Sequence, residues 1–285
     1  MRYLKDNNES SKIFEAALGF ITRSVLQNPI HSTDIQALLP DYILEINSAI
    51  ASSNPVIAAD SLTLVHQFLL MGKSKLALNL VSNPDSKVLK KSMESSNHIN
   101  VKLKASLVAS QFILKHRGED KLDLYDTIIM LANDADENLR RNATLFLSHF
   151  IYFKVPTQFD SVLAYLVRQV DSKNPKLRLQ VLEALSHIPQ HGEELILKMK
   201  KASVFQKINK LIISEPSPSV LQPLIQRVLR KFCTFASIRS HLVEIGLLSH
   251  LHTLTERNSS SASSELPRNQ KLHAQILRIV QILRP

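Results

Sequence analysis

Residues 174–188 read N-P-K-L-R-L-Q-V-L-E-A-L-S-H-I, and this stretch decides the fold. Asn174 can cap a helix, and Pro175 fits the first helical position, where a missing N–H costs nothing. Leu177, Val181 and Leu185 then recur every four residues, which places them on one helical face. The same figure returns five more times, from Asn54, Asn100, Asp136, Ser217 and Arg268. Aligned on the first apolar residue, the six copies start at Ile57, Leu103, Leu139, Leu177, Val220 and Leu272, with gaps of 46, 36, 38, 43 and 52 residues. A loose period near forty of helical units marks a stacked-repeat architecture. One such unit cannot bury its apolar face alone, so neighbours pile into a continuous core. The expected fold class is therefore all-α, a right-handed α-solenoid of about six units. Its core stripe is Leu139, Ala143, Leu147, Leu177, Val181, Leu185, Val220, Leu224 and Val228.

Outward from the repeats, helix signals cover most of the chain. A first helix is expected from Ser10 or Ser11 to Gln27, stopped before Pro29, and a second over Thr33–Ala51, kinked at Pro40. These form an N-terminal helical cap over 1–53, with the repeats over 54–285. Further helices are expected over Leu122–Ala132, Thr157–Val170 and Val220–Phe235, and three helices per unit in the C-terminal third. A flexible serine-rich loop is expected at 257–267. The five glycines, at 19, 72, 118, 192 and 246, read as helix ends.

Composition narrows the function classes. Hydrophobic residues make up 44% and charged residues 21%, which suits a folded chain and excludes a disordered one. The single cysteine, Cys233, allows no internal disulfide, which favours a reducing compartment, cytoplasm or nucleus. The start carries no apolar signal segment, and no run is long enough to span a bilayer. Net charge is +10. It is unevenly spread: Glu119–Glu137 holds seven acids and one base, Ile196–Leu242 nine bases and one acid. The basic half suits acidic peptides, nucleic acid or anionic lipid, or is simply a solvated face.

The segment S-I-R-S-H-L-V-E-I-G-L-L-S-H-L-H-T-L, Ser237–Leu254, resembles an armadillo repeat. There a short helix ends at a glycine, here Gly246, and a second helix follows, here carrying Leu247, Leu248, Leu251 and Leu254. Ser203 stands where Gly246 would align, 43 residues earlier. The middle units resemble the related two-helix HEAT repeat. The resemblance, spread over residues 54–285, implies a groove lined by each unit's third helix that binds other macromolecules. In the peptide-carrying members that helix bears W-A-L-S-N. Here the stretches are L-F-L-S-H-F and E-A-L-S-H-I, so His149 and His187 hold the asparagine place, and Leu145 and Glu183 the tryptophan place. The chain has no Trp, so recognition of nuclear localisation signals is not implied.

Signs of chemistry are few. No glycine-rich phosphate loop, G-x-S-x-G elbow or H-E-x-x-H helix is present. Neither a metal site nor a cofactor is implied, and no enzyme is expected. A scaffold that binds a partner peptide or helix, acidic or rich in backbone carbonyls, is the first expectation, with Arg141, His149, Arg178, His187, Arg227 and Arg230 forming one concave ladder. His149, His187 and Arg230 share one register position, which stacking would set side by side. A nucleic-acid- or chromatin-associated scaffold using the basic C-terminal half is the alternative. The final helix carries Leu272, Ile276, Leu277, Ile279, Val280, Ile282 and Leu283, an apolar surface wide enough to suggest self-association or continuation into a longer complex.

Overall fold

The computed structural model describes residues 17, 19, 43–72, 74–81, 87–214, 218–260 and 266–283. The expected cap helices, apart from residues 17, 19 and 43–50, lie outside the described residues. All regular structure among the described residues is helical, and none of them forms a strand. The chain divides into two compact units, residues 1–149 and 150–285.

In the first unit α1 (Ile43–Ile50), α2 (Pro55–Leu70), α3 (Ser74–Val81), α4 (Val88–Glu94), α5 (Ile99–Lys115) and α6 (Tyr125–Ala132) precede α7 (Glu137–Phe153), which runs on past the unit boundary. The caps anticipated at Asn54 and Asp136 are formed, whereas Asn100 lies inside α5, which starts at Ile99 with no side-chain cap. Asn54 Oδ1 accepts the N–H of Val56, with Pro55 in the first turn. Asp136 Oδ1 accepts from Asn138 and Leu139 at 2.8 and 3.0 Å. Each such cap contributes about 1 kcal/mol. Helix α6 starts at Tyr125 rather than the expected Leu122. The Asp120 carboxylate takes the N–H groups of Leu124 and Tyr125, and Asp123 turns left-handed at φ 53°, which fixes the later start.

The second unit contains α8 (Phe159–Gln169), α9 (Pro175–His187), a 3-10 turn (Ile188–His191), α10 (Glu193–Lys201) and α11 (Val204–Ser214). Asn174 caps α9 through Lys176 and Leu177. Next comes a composite helix, α12: Pro218–Pro223, a π-helical stretch Leu224–Leu229, and Arg230–Phe232. Sequence suggested one straight helix from Val220 to Phe235. Pro223 explains the difference, because its ring clashes with the carbonyl four residues back and it has no N–H to give. A widened turn just after it relieves the ladder. Then follow α13 (Ala236–Glu244), α14 (Leu247–Ser260) and α15 (Leu266–Leu283). The expected loop at 257–267 is shorter than the composition suggested: Arg257–Ser260 continue α14, Leu266 and Pro267 open α15, and 261–265 lie outside the described residues. Pro267 in a first turn leaves no hydrogen bond unmade.

Helices α10 and α11 repeat in α13 and α14 with a shift of 43 residues. The N–H of Ser203 bonds the carbonyl of Lys200, and that of Gly246 bonds Val243, both at 3.0 Å. Both residues are left-handed, Ser203 at φ 57° and Gly246 at φ 78°. Glycine enters this region freely, whereas other residues lose about 1–2 kcal/mol there. Ser203→Gly should therefore raise stability by about 0.5–1 kcal/mol, once glycine's extra unfolded-state freedom is offset. Chemical denaturation of the two proteins checks it, and a destabilised variant would show that the serine side chain contributes more than its strain costs. Of the five glycines read as helix ends, Gly19 instead lies in helical backbone.

The anticipated core stripe is buried. Leu139, Ala143, Leu147, Leu177, Val181, Leu185, Leu224 and Val228 are at most 1% exposed, and the side chain of Val220 lies outside the described residues. Helix α15 packs on α12, α13 and α14 of its own unit. Its Leu272, Ile276, Ile279, Val280 and Leu283 are buried there, while Leu277 and Ile282, on different sides of the helix, stay 42% exposed. The wide apolar surface of this helix is thus largely that of an element central to its own repeat.

Candidate partner-binding face

Polar side chains at repeat positions serve first to stitch one repeat to the next. In the first unit, Asn142 on α7 donates to Leu103 O at 3.1 Å and to Ser106 Oγ at 3.0 Å on α5. Two turns on, His149 donates from Nδ1 to Ser110 O at 2.9 Å. His149, expected to offer a donor to a partner, thus carries a bond between α7 and α5. Arg141 sits half-buried on the same helix. In the second unit, Asn209 on α11 donates to Ile245 O at 2.9 Å, and His250 Nδ1 donates to Asn209 Oδ1 at 2.9 Å.

The remaining expected residues lie in the second unit. Arg178 is half-buried on α9. His187, at the end of α9, is only 8% exposed. One face of its ring meets Tyr152 edge-on, with centroids 4.9 Å apart. Its Nδ1 lies 3.2 Å from Lys231 Nζ. An ammonium can only donate, so Nδ1 accepts and the imidazole is neutral, with its proton on Nε2. Tyr152 is held in turn by Gln190 Nε2, which donates to its carbonyl. Tyr152 on α7, His187 on α9 and Lys231 on α12 thus form a row. Arg227 and Arg230 flank that row. Together with Glu183, Gln226, Lys231 and Thr234 they line an open depression of about 320 Å³.

The electrostatics of this depression are lopsided. Arg227 and Arg230 are exposed and make no hydrogen bond or ion pair among the described residues. Burial lowers the pKa of Lys231 below the usual lysine value, and the Glu183 carboxylate pulls it part of the way back. Three cations therefore face one carboxylate. By contrast, other bases of the basic half are already engaged: Lys198 bonds Asp160 at 3.0 Å, and Lys207 pairs with Asp171. Lys231, Gln226, Thr234 and Tyr152 were not among the residues singled out from sequence. The string R-V-L-R-K at 227–231 was the available signal for Lys231, since residues four apart on a helix share a face.

Nothing else described competes as a site. A depression of about 490 Å³ in the first unit is lined by serines and apolar side chains in equal part, with Lys91, Asn97 and His98, and gathers no cluster of charge. No group of three or more metal-ligating side chains occurs among the described residues. Cys233 is buried, and burial pushes its thiol up to about 11, so the thiolate is not its resting form. No described helix is long and apolar enough to cross a membrane.

Known structures match this architecture closely. A designed armadillo repeat protein superposes with a TM-score of 0.63 over 83% of this chain and 98% of its own, at 16% identity. It has the armadillo/HEAT-type helical-repeat fold. A second designed armadillo repeat protein, solved in complex with the peptide (KR)4, gives the same TM-score, coverage and identity. Computationally designed armadillo repeat proteins for modular peptide recognition superpose at 0.59, covering 85% of this chain and 99% of theirs at 17% identity. No protein-family model and no curated protein matches the sequence. In armadillo terms, α10–α12 and α13–α15 are three-helix repeats, and the cationic depression sits at the third helix of the earlier one, where it meets α9.

Proposed function

We propose that this chain is a non-enzymatic scaffold whose second unit holds an acidic peptide or helix of a partner protein. The observation that carries this reading is the pair of exposed guanidiniums, Arg227 and Arg230, which meet no partner among the described residues and sit beside the half-buried Lys231. Exposed cations that no acid among the described residues neutralises can make charge-assisted bonds to a partner, and such bonds are about twice as strong as neutral ones. The fold supports it by analogy, since one solved neighbour carries a bound peptide. That peptide is (KR)4, strongly basic, whereas this chain carries a net +10, so the complementary ligand here has the opposite sign.

Fluorescence anisotropy with labelled peptides of equal length tests the proposal. An acidic peptide should bind at moderate salt and (KR)4 should not. The charge reversal Arg227→Glu with Arg230→Glu should weaken the acidic peptide at least tenfold. Both positions are exposed, so the variant should keep its helical circular dichroism. Equal binding of the two peptides, or an acidic peptide indifferent to the reversal, would overturn the reading. A single-stranded oligonucleotide in the same assay covers the nucleic-acid alternative. Binding tighter than the acidic peptide, with a steep log-linear loss on adding salt, would decide for phosphates of a nucleic-acid backbone.

A further inference from the structure

We infer that the depression at Glu183, Gln226, Arg227, Arg230, Lys231 and Thr234 is a phosphate-reading pocket, selective for a phosphorylated serine or threonine in the acidic partner. The inference rests on the acidic-peptide reading and sharpens it.

Charge comes first. Three cations against the single carboxylate of Glu183 leave two positive charges in excess. A phosphomonoester carries about −1.5 to −2 charges at pH 7 on one tetrahedral group, whereas a glutamate side chain carries one. One phosphate can therefore neutralise the excess, while a carboxylate would leave a cation uncompensated.

Donor geometry comes second. Arg227 and Arg230 lie three residues apart on α12, both line the depression, and each carries a planar fork suited to phosphate oxygens. Lys231 gives one N–H to neutral His187, which leaves two donors for a ligand and pins the ammonium at the side of the depression. Burial has already taken part of this ammonium's hydration and pulled its pKa down, so an entering dianion meets a charge that has already lost part of its water. Gln226 adds an amide to the same wall. The hydroxyl of Thr234 donates to the carbonyl of Lys231, which holds that side chain in place.

Size and surroundings come third. About 320 Å³ is at the low end of ligand pockets and gives room for one phosphorylated side chain. No aromatic residue lines it, so it offers no platform on which a base could stack, and Glu183 at its edge repels a continuous polyanion. The ring of Tyr152, 49% exposed and one residue along the row through His187, gives the partner's neighbouring side chain an apolar surface. These features favour a peptide bearing a single phosphate over RNA or DNA.

The test uses the full chain and four probes: an acidic peptide with a central phosphoserine, the same peptide with glutamate there, the same with serine, and a single-stranded oligonucleotide of similar charge. Titration calorimetry should show the phosphoserine peptide binding at least tenfold tighter than the glutamate peptide. Inorganic phosphate at millimolar concentration should compete with the phosphopeptide more than with the glutamate peptide. Arg227→Ala with Arg230→Ala should erase the difference between the two. Lys231→Met, with its thermal midpoint checked, should reduce it. If phosphoserine and glutamate peptides bind equally, the phosphate inference fails while the acidic-peptide reading stands. If neither binds, both fail. If the oligonucleotide binds tighter than the phosphopeptide and depends on the same arginines, the pocket reads nucleic-acid phosphates and the inference is overturned.

Discussion

Replacing Leu185 with alanine is expected to cost about 2–5 kcal/mol of stability. Leu185 is the third residue of the Leu177, Val181, Leu185 stripe on α9 and is completely buried. Truncation removes the transfer free energy of its branched end and leaves a cavity that close-packed neighbours fill only in part. Leu185→Met, which nearly conserves volume, should lose less than about 1.5 kcal/mol. Urea unfolding followed by circular dichroism checks both. The midpoint should fall with little change in slope, since the surface exposed on unfolding stays about the same. An alanine variant indistinguishable from the parent would mean that the register of α9 is misplaced.

Phe205→Ala should be at least as damaging, at about 3–5 kcal/mol. Phe205 on α11 and Phe232 on α12 are both fully buried and meet edge to face, with centroids 5.3 Å apart and planes 79° apart. His241 on α13 abuts the same ring at 5.6 Å, so Phe205 ties its own repeat to the next. Edge-to-face pairs add about 0.5–1.5 kcal/mol beyond the area they bury. A double-mutant cycle with Phe205→Leu and Phe232→Leu should return a coupling of that size. Strict additivity of the two losses would show that the rings contribute burial alone.

The fold was legible because its signals are local. Asn54, Asp136 and Asn174 announce their helices as caps, and eight of the nine stripe residues are buried where the four-residue spacing placed them. The turn at Ser203 was legible only by alignment on Gly246, because the left-handed geometry recurs without the glycine that usually signals it. The π-helical stretch after Pro223 was not legible, since a proline in a helical pattern signals disruption without saying which ladder will absorb it. The candidate face was half legible. Sharing a register position says which direction a side chain leaves its helix, but not what the adjacent repeat presents there. His149 meets the carbonyl of Ser110 and bonds it, His187 is covered by Tyr152 and Lys231, and Arg227 and Arg230 meet no partner among the described residues. That difference depends on packing between repeats, which the period of a single helix does not encode.

The side-chain bonds between repeats share a property that bears on how the chain reaches its structure. Those of Asn142, His149, Gln190, Asn209, Lys231 and His250 each join residues 36 to 44 positions apart in sequence. Closing a loop of that length has nearly the same entropic cost wherever it lies, because the cost grows only logarithmically with length. None of these links therefore depends on a distant part of the chain having found its place first. Contacts of such short range favour rapid formation, and assembly can start at any repeat and spread to its neighbours. Amide exchange within each unit should then be graded, fastest in its end helices and slowest in those flanked on both sides.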